Sequence, residues 1–252
     1  MTEISGPNQT IQPVFVPVDA PQPRPTWPTW VEILMCSGYP TQIVISYLLL
    51  AAGIGPMTPD GQLNGSFVFL LALTDTAVLL SLIVWLLGRR GERPLTVFFG
   101  DRPPGREITA GIASLPLIIA LVIGLTLAIR RVVPGLHNVP TNPLEGLIGD
   151  HAGGIWLFLF VVIVAGGVRE ELQRAFLLHR FRDDLGQPWV GVVITSISFG
   201  MGHTLQGLDA AVITGALGAA WGVMYLTRRS ALASMVSHSL FNSGELLRAF
   251  LR

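Results

Sequence analysis

The chain has 252 residues, of which 50% are hydrophobic and only 13% are charged, and its mean hydropathy is +0.58. Because soluble domains carry about 25% charged residues, this composition argues against a soluble enzyme and favours a membrane protein with several spans. The 16 basic residues balance 16 acidic ones and are all arginine, so lysine chemistry is excluded and nucleic-acid binding is not indicated.

Residues 1–30 form a proline-rich segment that differs from the rest of the chain. Seven of the 18 prolines lie there. Proline lacks a backbone donor and disrupts helices, so the segment is expected to be a disordered arm. It also lacks the basic region followed by an apolar run that defines a signal peptide. We therefore predict an N-terminal arm over residues 1–30 and one transmembrane domain over residues 31–252.

Apolar segments long enough to cross a bilayer follow this arm. A span needs about 20 mostly apolar residues. Because one long segment can contain a break, the predicted fold is all-α, a polytopic membrane helix bundle of seven to eight transmembrane helices. The seven candidate spans are about 37–55, 66–88, 108–129, 154–180, 188–206, 209–227 and 231–250.

The distribution of arginine predicts the orientation. In a seven-span arrangement, nine arginines lie in the loops after the second, fourth and sixth spans, and four lie on the other side. Cytoplasmic loops are enriched in basic residues, so the nine-arginine side and the N-terminus are predicted to be cytoplasmic.

Several polar side chains fall inside the predicted spans. An ionisable group in the bilayer costs from about 2.5 kcal/mol upward, so such groups are expected to converge on a shared polar interior. Most of them lie in the last four spans. The set comprises Asp75, Arg169, Glu170, Glu171, Arg174, His203 and His238, together with Asn242. Within it, Arg169 is expected to pair with Asp75 or Glu171, which would compensate its buried charge.

Helical spacing places these residues in pairs. Glu170 and Arg174 are four residues apart, which predicts one shared face and an ion pair. Glu171 is rotated by about 100° from Glu170, so the two carboxylates cannot point equally into one pocket. Phe199 and His203 repeat the four-residue spacing in one span. His238 and Asn242 repeat it in the last span.

This set of side chains fits the attack of water on an amide carbonyl. A buried glutamate can act as a general base, and a histidine can hold the water or accept its proton. A second histidine beside an asparagine supplies donors to a developing oxyanion. Carboxylate and imidazole are also ordinary zinc ligands, so Glu170, His203 and His238 could instead form a metal site. Zinc and no metal both remain open.

Three motifs in these spans resemble those of the CPBP family, which comprises type II CAAX prenyl proteases and bacterial relatives linked to bacteriocin processing and immunity. The family's E-E-x-x-x-R motif is similar to REELQRAFLLHRF from Arg169. The motif F-x-x-x-H is similar to the segment from Phe199 to His203, and H-x-x-x-N to the segment from His238 to Asn242. The resemblance covers about residues 154–245.

The resemblance implies an intramembrane endopeptidase with a helical fold. The motif glutamate and His203 would activate water, and His238 with Asn242 would stabilise the oxyanion. Arg174 and Phe199 would give structural support. The implied substrates are prenylated CAAX-type or other membrane-associated peptides, and membrane lipid is the other expected partner. A metal requirement is disputed within the family, so zinc stays open.

One departure leaves the identity of the base open between Glu170 and Glu171. Arg174 follows Glu170 by four residues, whereas in the family motif the Arg follows the first Glu by five residues. Anchoring the comparison on Arg174 puts Arg169 where the first Glu should be, and a local bulge would be needed for Glu171 to compensate. The face that Glu170 shares with Arg174 favours Glu170 as the base.

Two other functions remain open from the sequence. The Arg169 departure motivates a membrane binding or immunity protein of the same fold with little catalysis. Asp75, Glu170 and the histidines inside spans motivate a transporter or proton relay. The sequence leaves the substrate and the oligomeric state unassigned.

Overall fold

The computed structural model describes residues 26–147 and 152–251, and within them every regular element is helical. The predicted disordered arm lies mostly outside the described residues, but its last five residues are helical, so the predicted boundary at residue 30 is too late. The α-helices are α1 Thr26–Met35, α2 Tyr39–Ala51, α3 Gly65–Arg89, α4 Pro94–Phe99, α5 Pro104–Val132, α6 Ala152–Val161, α7 Glu170–His179, α8 Pro188–Met201, α9 Leu208–Arg228 and α10 Leu232–Phe250.

The chain is an integral membrane protein, but fewer helices than predicted pass as spans. Helices lie in all seven predicted segments. Within the described residues, only α3, α5 and α9 are long and apolar enough to cross a membrane, and the bent pair of α1 and α2 would be a fourth. The predicted seven to eight spans are therefore not confirmed. Of the last four predicted segments, only the one that holds α9 passes. Helices α6, α7 and α8 are 10, 10 and 14 residues long, which is too short for a span.

Helices α1 and α2 meet at a bend of 41°. Gly38 lies at the bend with φ of +93°, a conformation that side chains disfavour. A Cβ atom there would lie 3.0 Å from both the Arg169 guanidinium and the Gln173 amide. The span predicted at 37–55 is thus the second half of a bent helix pair that approaches α7 closely.

A π-helical segment at Val162–Arg169 joins α6 to α7. Such a segment adds a residue to the helical turn and rotates the helix beyond it. Helix α10 packs tightly on it, because a Cβ atom at Gly167 would overlap the Ser239 side chain. A second π-helical segment, Arg180–Asp184, ends α7. The predicted span 154–180 is therefore a helix whose register is altered just before the first motif.

The three arginine-rich loops gather at one end of the bundle. Arg90 binds Glu32 at 2.8 Å and Asp184 at 2.5 Å. Arg102 donates a hydrogen bond to the carbonyl oxygen of Arg228, so the first and third loops also touch. We call this the arginine-rich end. The opposite end carries the segments 52–64 and 133–147 and the turn between α8 and α9.

Candidate active site

The two glutamates at the start of α7 have different environments. The Glu171 side chain is 1% exposed, and its Oε1 accepts hydrogen bonds from Arg174 and from Nδ1 of His238, the latter at 2.9 Å. The predicted pair of Glu170 and Arg174 is therefore wrong, because Arg174 binds the glutamate three residues away rather than four. The guanidinium of Arg174 also lies 4.6 Å from the centre of the Phe199 ring.

Arg169 is neutralised by Asp75 of α3. The two form an ion pair, and Asp75 also accepts hydrogen bonds from Thr41 and, at 3.3 Å, from Gln42. Of the two partners predicted for Arg169, the structure confirms Asp75. The arginine that departs from the family motif thus joins the end of the π-helical segment to the α2–α3 pair.

Glu170 faces a cavity instead of an arginine. Its side chain is 21% exposed, and its Oε2 lies 3.8 Å from Nε2 of His238, which is beyond hydrogen-bonding distance. The preference for Glu170 as the base therefore loses its original reason, the Arg174 pair. A different reason replaces it: Glu170 lines the cavity, whereas Glu171 is already bound by two donors.

His203 lies in the turn after α8, not inside a span. The predicted span at 188–206 ends early, because α8 stops at Met201. Nδ1 of His203 lies 2.8 Å from the carbonyl oxygen of Phe199 and donates to it, since a carbonyl oxygen only accepts. This bond leaves Nε2 without a hydrogen when the ring is neutral.

His238 is held on three sides. Its ring stacks on the indole of Trp221 at 3.8 Å and 17°, and the edge of Phe199 lies 5.9 Å away. The indole N–H donates to the Ser237 hydroxyl at 3.2 Å. Because Glu171 only accepts, Nδ1 of His238 carries the proton, and Nε2 lies on the side of Glu170.

Trp221 is a site residue that the sequence did not reveal. A tryptophan in an apolar helix is ordinary core, and neither its position nor its neighbours point to a histidine 17 residues later. The glycines on either side of it, Gly218 and Gly222, are a weak signal, because they allow α9 to approach the Phe199 and Leu178 side chains.

Four of the predicted site residues line one cavity of about 500 Å³. They are Glu170, His203, His238 and Asn242. Asn242 is half-buried one turn after His238, and its amide nitrogen lies against Gly166 of the π-helical segment. A second cavity of about 470 Å³ shares five lining residues with the first, which are Val68, Leu144, Glu170, His203 and Gln206. The two cavities therefore meet beside Glu170 and His203.

The zinc site that the sequence left open as an alternative does not fit this arrangement. Among the described residues, no three His, Cys, Asp or Glu side chains converge closely enough to hold a metal ion. The proposed ligands Glu170, His203 and His238 are near one another, but they do not form such a group. The expectation of a metalloendopeptidase is therefore not supported, and the site's chemistry must be derived from its own acids, bases and amides.

Comparison with known sequences identifies the class of protein. Residues 152–244 match the family described as Rce1-like, type II CAAX prenyl endopeptidase. The matched segment includes all three motifs and every candidate catalytic residue. No curated protein and no solved structure matches the chain.

The site and this match together point to an intramembrane peptidase. The match covers 93 of the 252 residues and agrees with the resemblance of the three motifs to the CPBP family of intramembrane proteases. Families of this kind are usually classed as glutamate- or cysteine-type proteases. The only cysteine, Cys36, is buried and does not line the cavity.

Proposed function

We propose that this protein hydrolyses a peptide bond in a membrane-associated substrate, with Glu170 as the general base. The convergence of Glu170, His203, His238 and Asn242 on one cavity carries the proposal. The ionisable groups beside them, Arg169, Arg174 and Glu171, are bound in pairs or networks, so Glu170 is the carboxylate left to act on water.

The first step is the attack of a water molecule on the carbonyl carbon. Glu170 takes one proton from the water, and Nε2 of His203 accepts a hydrogen bond that holds the water in place. The carbonyl oxygen then carries the negative charge. In the second step Glu170 returns the proton to the amide nitrogen, the carbon–nitrogen bond breaks, and the amine product leaves.

His238 and Asn242 are suited to stabilise the oxyanion. The amide nitrogen of Asn242 is a donor. His238 donates from Nε2 when its ring is doubly protonated, and Glu171, which accepts from Nδ1, stabilises that cation. Donors aimed at the developing charge are usually worth 10²–10³ in rate, or about 3–4 kcal/mol.

The test is peptide hydrolysis by the purified protein in lipid nanodiscs. A panel of prenylated CAAX peptides and transmembrane-segment peptides is incubated with the protein, and the fragments are identified by mass spectrometry. We expect Glu170→Gln to lower kcat by about 10²–10⁴-fold, the usual worth of a general base. Asp60→Asn, which removes an exposed carboxylate in the 52–64 loop, serves as the control and should retain full activity.

The same variant separates catalysis from binding. If the unmodified protein cleaves no peptide and Glu170→Gln leaves the cellular effect intact, the protein acts by binding and the hydrolase proposal is wrong. Cleavage restricted to prenylated peptides would assign the CAAX class of substrate, whereas cleavage of unmodified peptides would assign a broader one.

A further inference from the structure

Two serine hydroxyls link α5 to the indole of Trp221 through α10. Gly111 of α5 lies against the backbone of α10, since a Cβ atom there would come within 2.6 Å of the Ala233 carbonyl oxygen. Three residues later on α5, the Ser114 hydroxyl lies 2.9 Å from that of Ser237, which is fully buried. The Ser237 hydroxyl also lies 3.2 Å from the indole nitrogen of Trp221. Helices α5, α10 and α9 therefore share one line of hydrogen bonds.

The groups at the two ends of this line fix the direction of every hydrogen in it. An indole N–H only donates, so the Ser237 oxygen accepts from Trp221. The Ser114 hydroxyl lies 2.7 Å from the carbonyl oxygen of Gly111, which only accepts, so the single Ser114 hydrogen is donated there. The Ser237 hydrogen is then donated to the Ser114 oxygen, the one acceptor that the described residues offer it. Each hydroxyl donates once and accepts once, so the indole cannot turn without breaking the line.

The face of this indole sets the plane of the His238 ring. The hydrogen bond from Nδ1 to Glu171 fixes the position of one ring atom, but the imidazole could still tilt about that bond. Stacking on Trp221 at 3.8 Å and 17° removes this freedom. The two contacts together direct Nε2 of His238 to the side of Glu170, whose Oε2 lies 3.8 Å away. A tilt of the indole would therefore tilt the imidazole with it.

We propose that Ser114 and Ser237 are positioning residues of the site, which act on His238 through the indole of Trp221. The proposal rests on the proposed function and extends it to α5, a helix that carries none of the three motifs and lies outside the matched residues 152–244. Helix α5 is long and apolar enough to cross a membrane. A buried hydroxyl without a partner is costly in such surroundings, so the line of hydrogen bonds persists as a unit.

The effect on turnover can be tested with a double-mutant cycle in nanodiscs. Ser114→Ala removes the acceptor of the Ser237 hydrogen, and we expect kcat to fall about tenfold with KM unchanged, because the oxyanion forms only in the transition state. Trp221→Phe keeps an aromatic face but has no N–H to orient, so adding Ser114→Ala to it should lower kcat no further.

The control for this cycle is Thr109→Val, which removes an exposed hydroxyl of α5 that donates to the carbonyl oxygen of Gly105 in its own helix. It should leave kcat unchanged. An equal loss from Ser114→Ala in both backgrounds would overturn the proposal, since Ser114 would then act without the indole. Full activity of the single Ser114→Ala variant would overturn it as well.

The positions of the two rings can be tested by NMR without any turnover. Tryptophan and histidine are isotope-labelled, and the signals of the Trp221 indole N–H and the His238 ring are assigned by their loss in Trp221→Phe and His238→Gln. We expect Ser114→Ala to shift both signals, because the indole loses its fixed orientation and the ring current at His238 changes. Thr109→Val should shift neither. Unchanged signals in Ser114→Ala would overturn the proposal in an active or an inactive protein, whereas shifted signals in a protein that cleaves no peptide would support the positioning and contradict only the proposed function.

Discussion

Two neighbouring glutamates have different surroundings because their partners differ. Glu171 connects Arg174 to His238 and is almost fully buried, whereas Glu170 faces the cavity. A glutamate in the position of Glu170 would be expected to act on substrate or water. One in the position of Glu171 would be expected to support the histidine and the arginine around it.

This difference predicts that two similar variants, which both lose activity, differ in stability. Glu171→Gln leaves Arg174 buried without a compensating charge, so we expect a loss of about 3–5 kcal/mol in unfolding free energy together with lost activity. Glu170→Gln should lose activity with little change in stability. Thermal unfolding in detergent, measured beside peptide turnover, checks both. Equal destabilisation by the two variants would contradict the assignment of roles.

The sequence locates the site residues but not all their contacts. The motifs place Glu170, His203, His238 and Asn242 in one polar interior, and they do line one cavity. The partner of Arg174 was predicted incorrectly, because spacings of three and four residues both put two side chains on one helix face. Trp221 could not be found at all, because stacking on His238 depends on how α9 packs against α10.

At the scale of the elements, the contact between α10 and the π-helical segment positions Asn242. Gly167 of that segment lies directly against Ser239, one residue after His238. No side chain fits between the two backbones. The register of α10, and with it the direction of both motif side chains, depends on this close approach.

Gly167→Ala should therefore disturb both stability and activity. The added methyl group would overlap Ser239, and overpacking of this kind costs about 1–3 kcal/mol. Gly124→Ala in α5 is the matched control, because a Cβ atom there meets nothing within 4 Å. Unfolding midpoints and turnover are compared for the two variants. If Gly167→Ala behaved like the control, the close packing of α10 would not matter to the site.

The long apolar helices were predictable, and the interruptions were not. Runs of about 20 apolar residues predicted α3, α5 and α9 to within a few residues. The bend at Gly38 and the end of α8 at Met201 depend on packing against α7 and α9, for which hydropathy carries no signal. The π-helical segment before Glu170 likewise has no signal in the sequence apart from the two glycines at 166 and 167.

At the scale of the whole molecule, buried ion pairs hold the arginine-rich end of the bundle together. Glu92 belongs to this end and lies outside the spans. Burial alone would raise the pKa of Glu92, but its hydrogen bond with His179 and the charge of Arg180 lower that pKa from its ordinary 4.5 to about 2.

This shift predicts how stability depends on pH. A carboxyl whose pKa is lowered by folding stabilises the folded state above pH 4.5, and the contribution is lost as the pH falls towards 2. We expect Glu92→Gln to unfold more easily than the unaltered protein at pH 7, with the difference narrowing below pH 4.5. Thermal unfolding in detergent from pH 7 to pH 3 measures it, with Asp60→Asn as a control. A constant difference across this range would contradict the prediction.

The meeting of the two cavities at Glu170 and His203 has a consequence for the kinetics of product release. A peptide cut between those side chains would leave one fragment in each cavity. Each fragment could then dissociate independently, so neither would have to wait for the other. The amino-side and carboxyl-side fragments should therefore inhibit turnover at separate sites, and both should be able to occupy the protein at once.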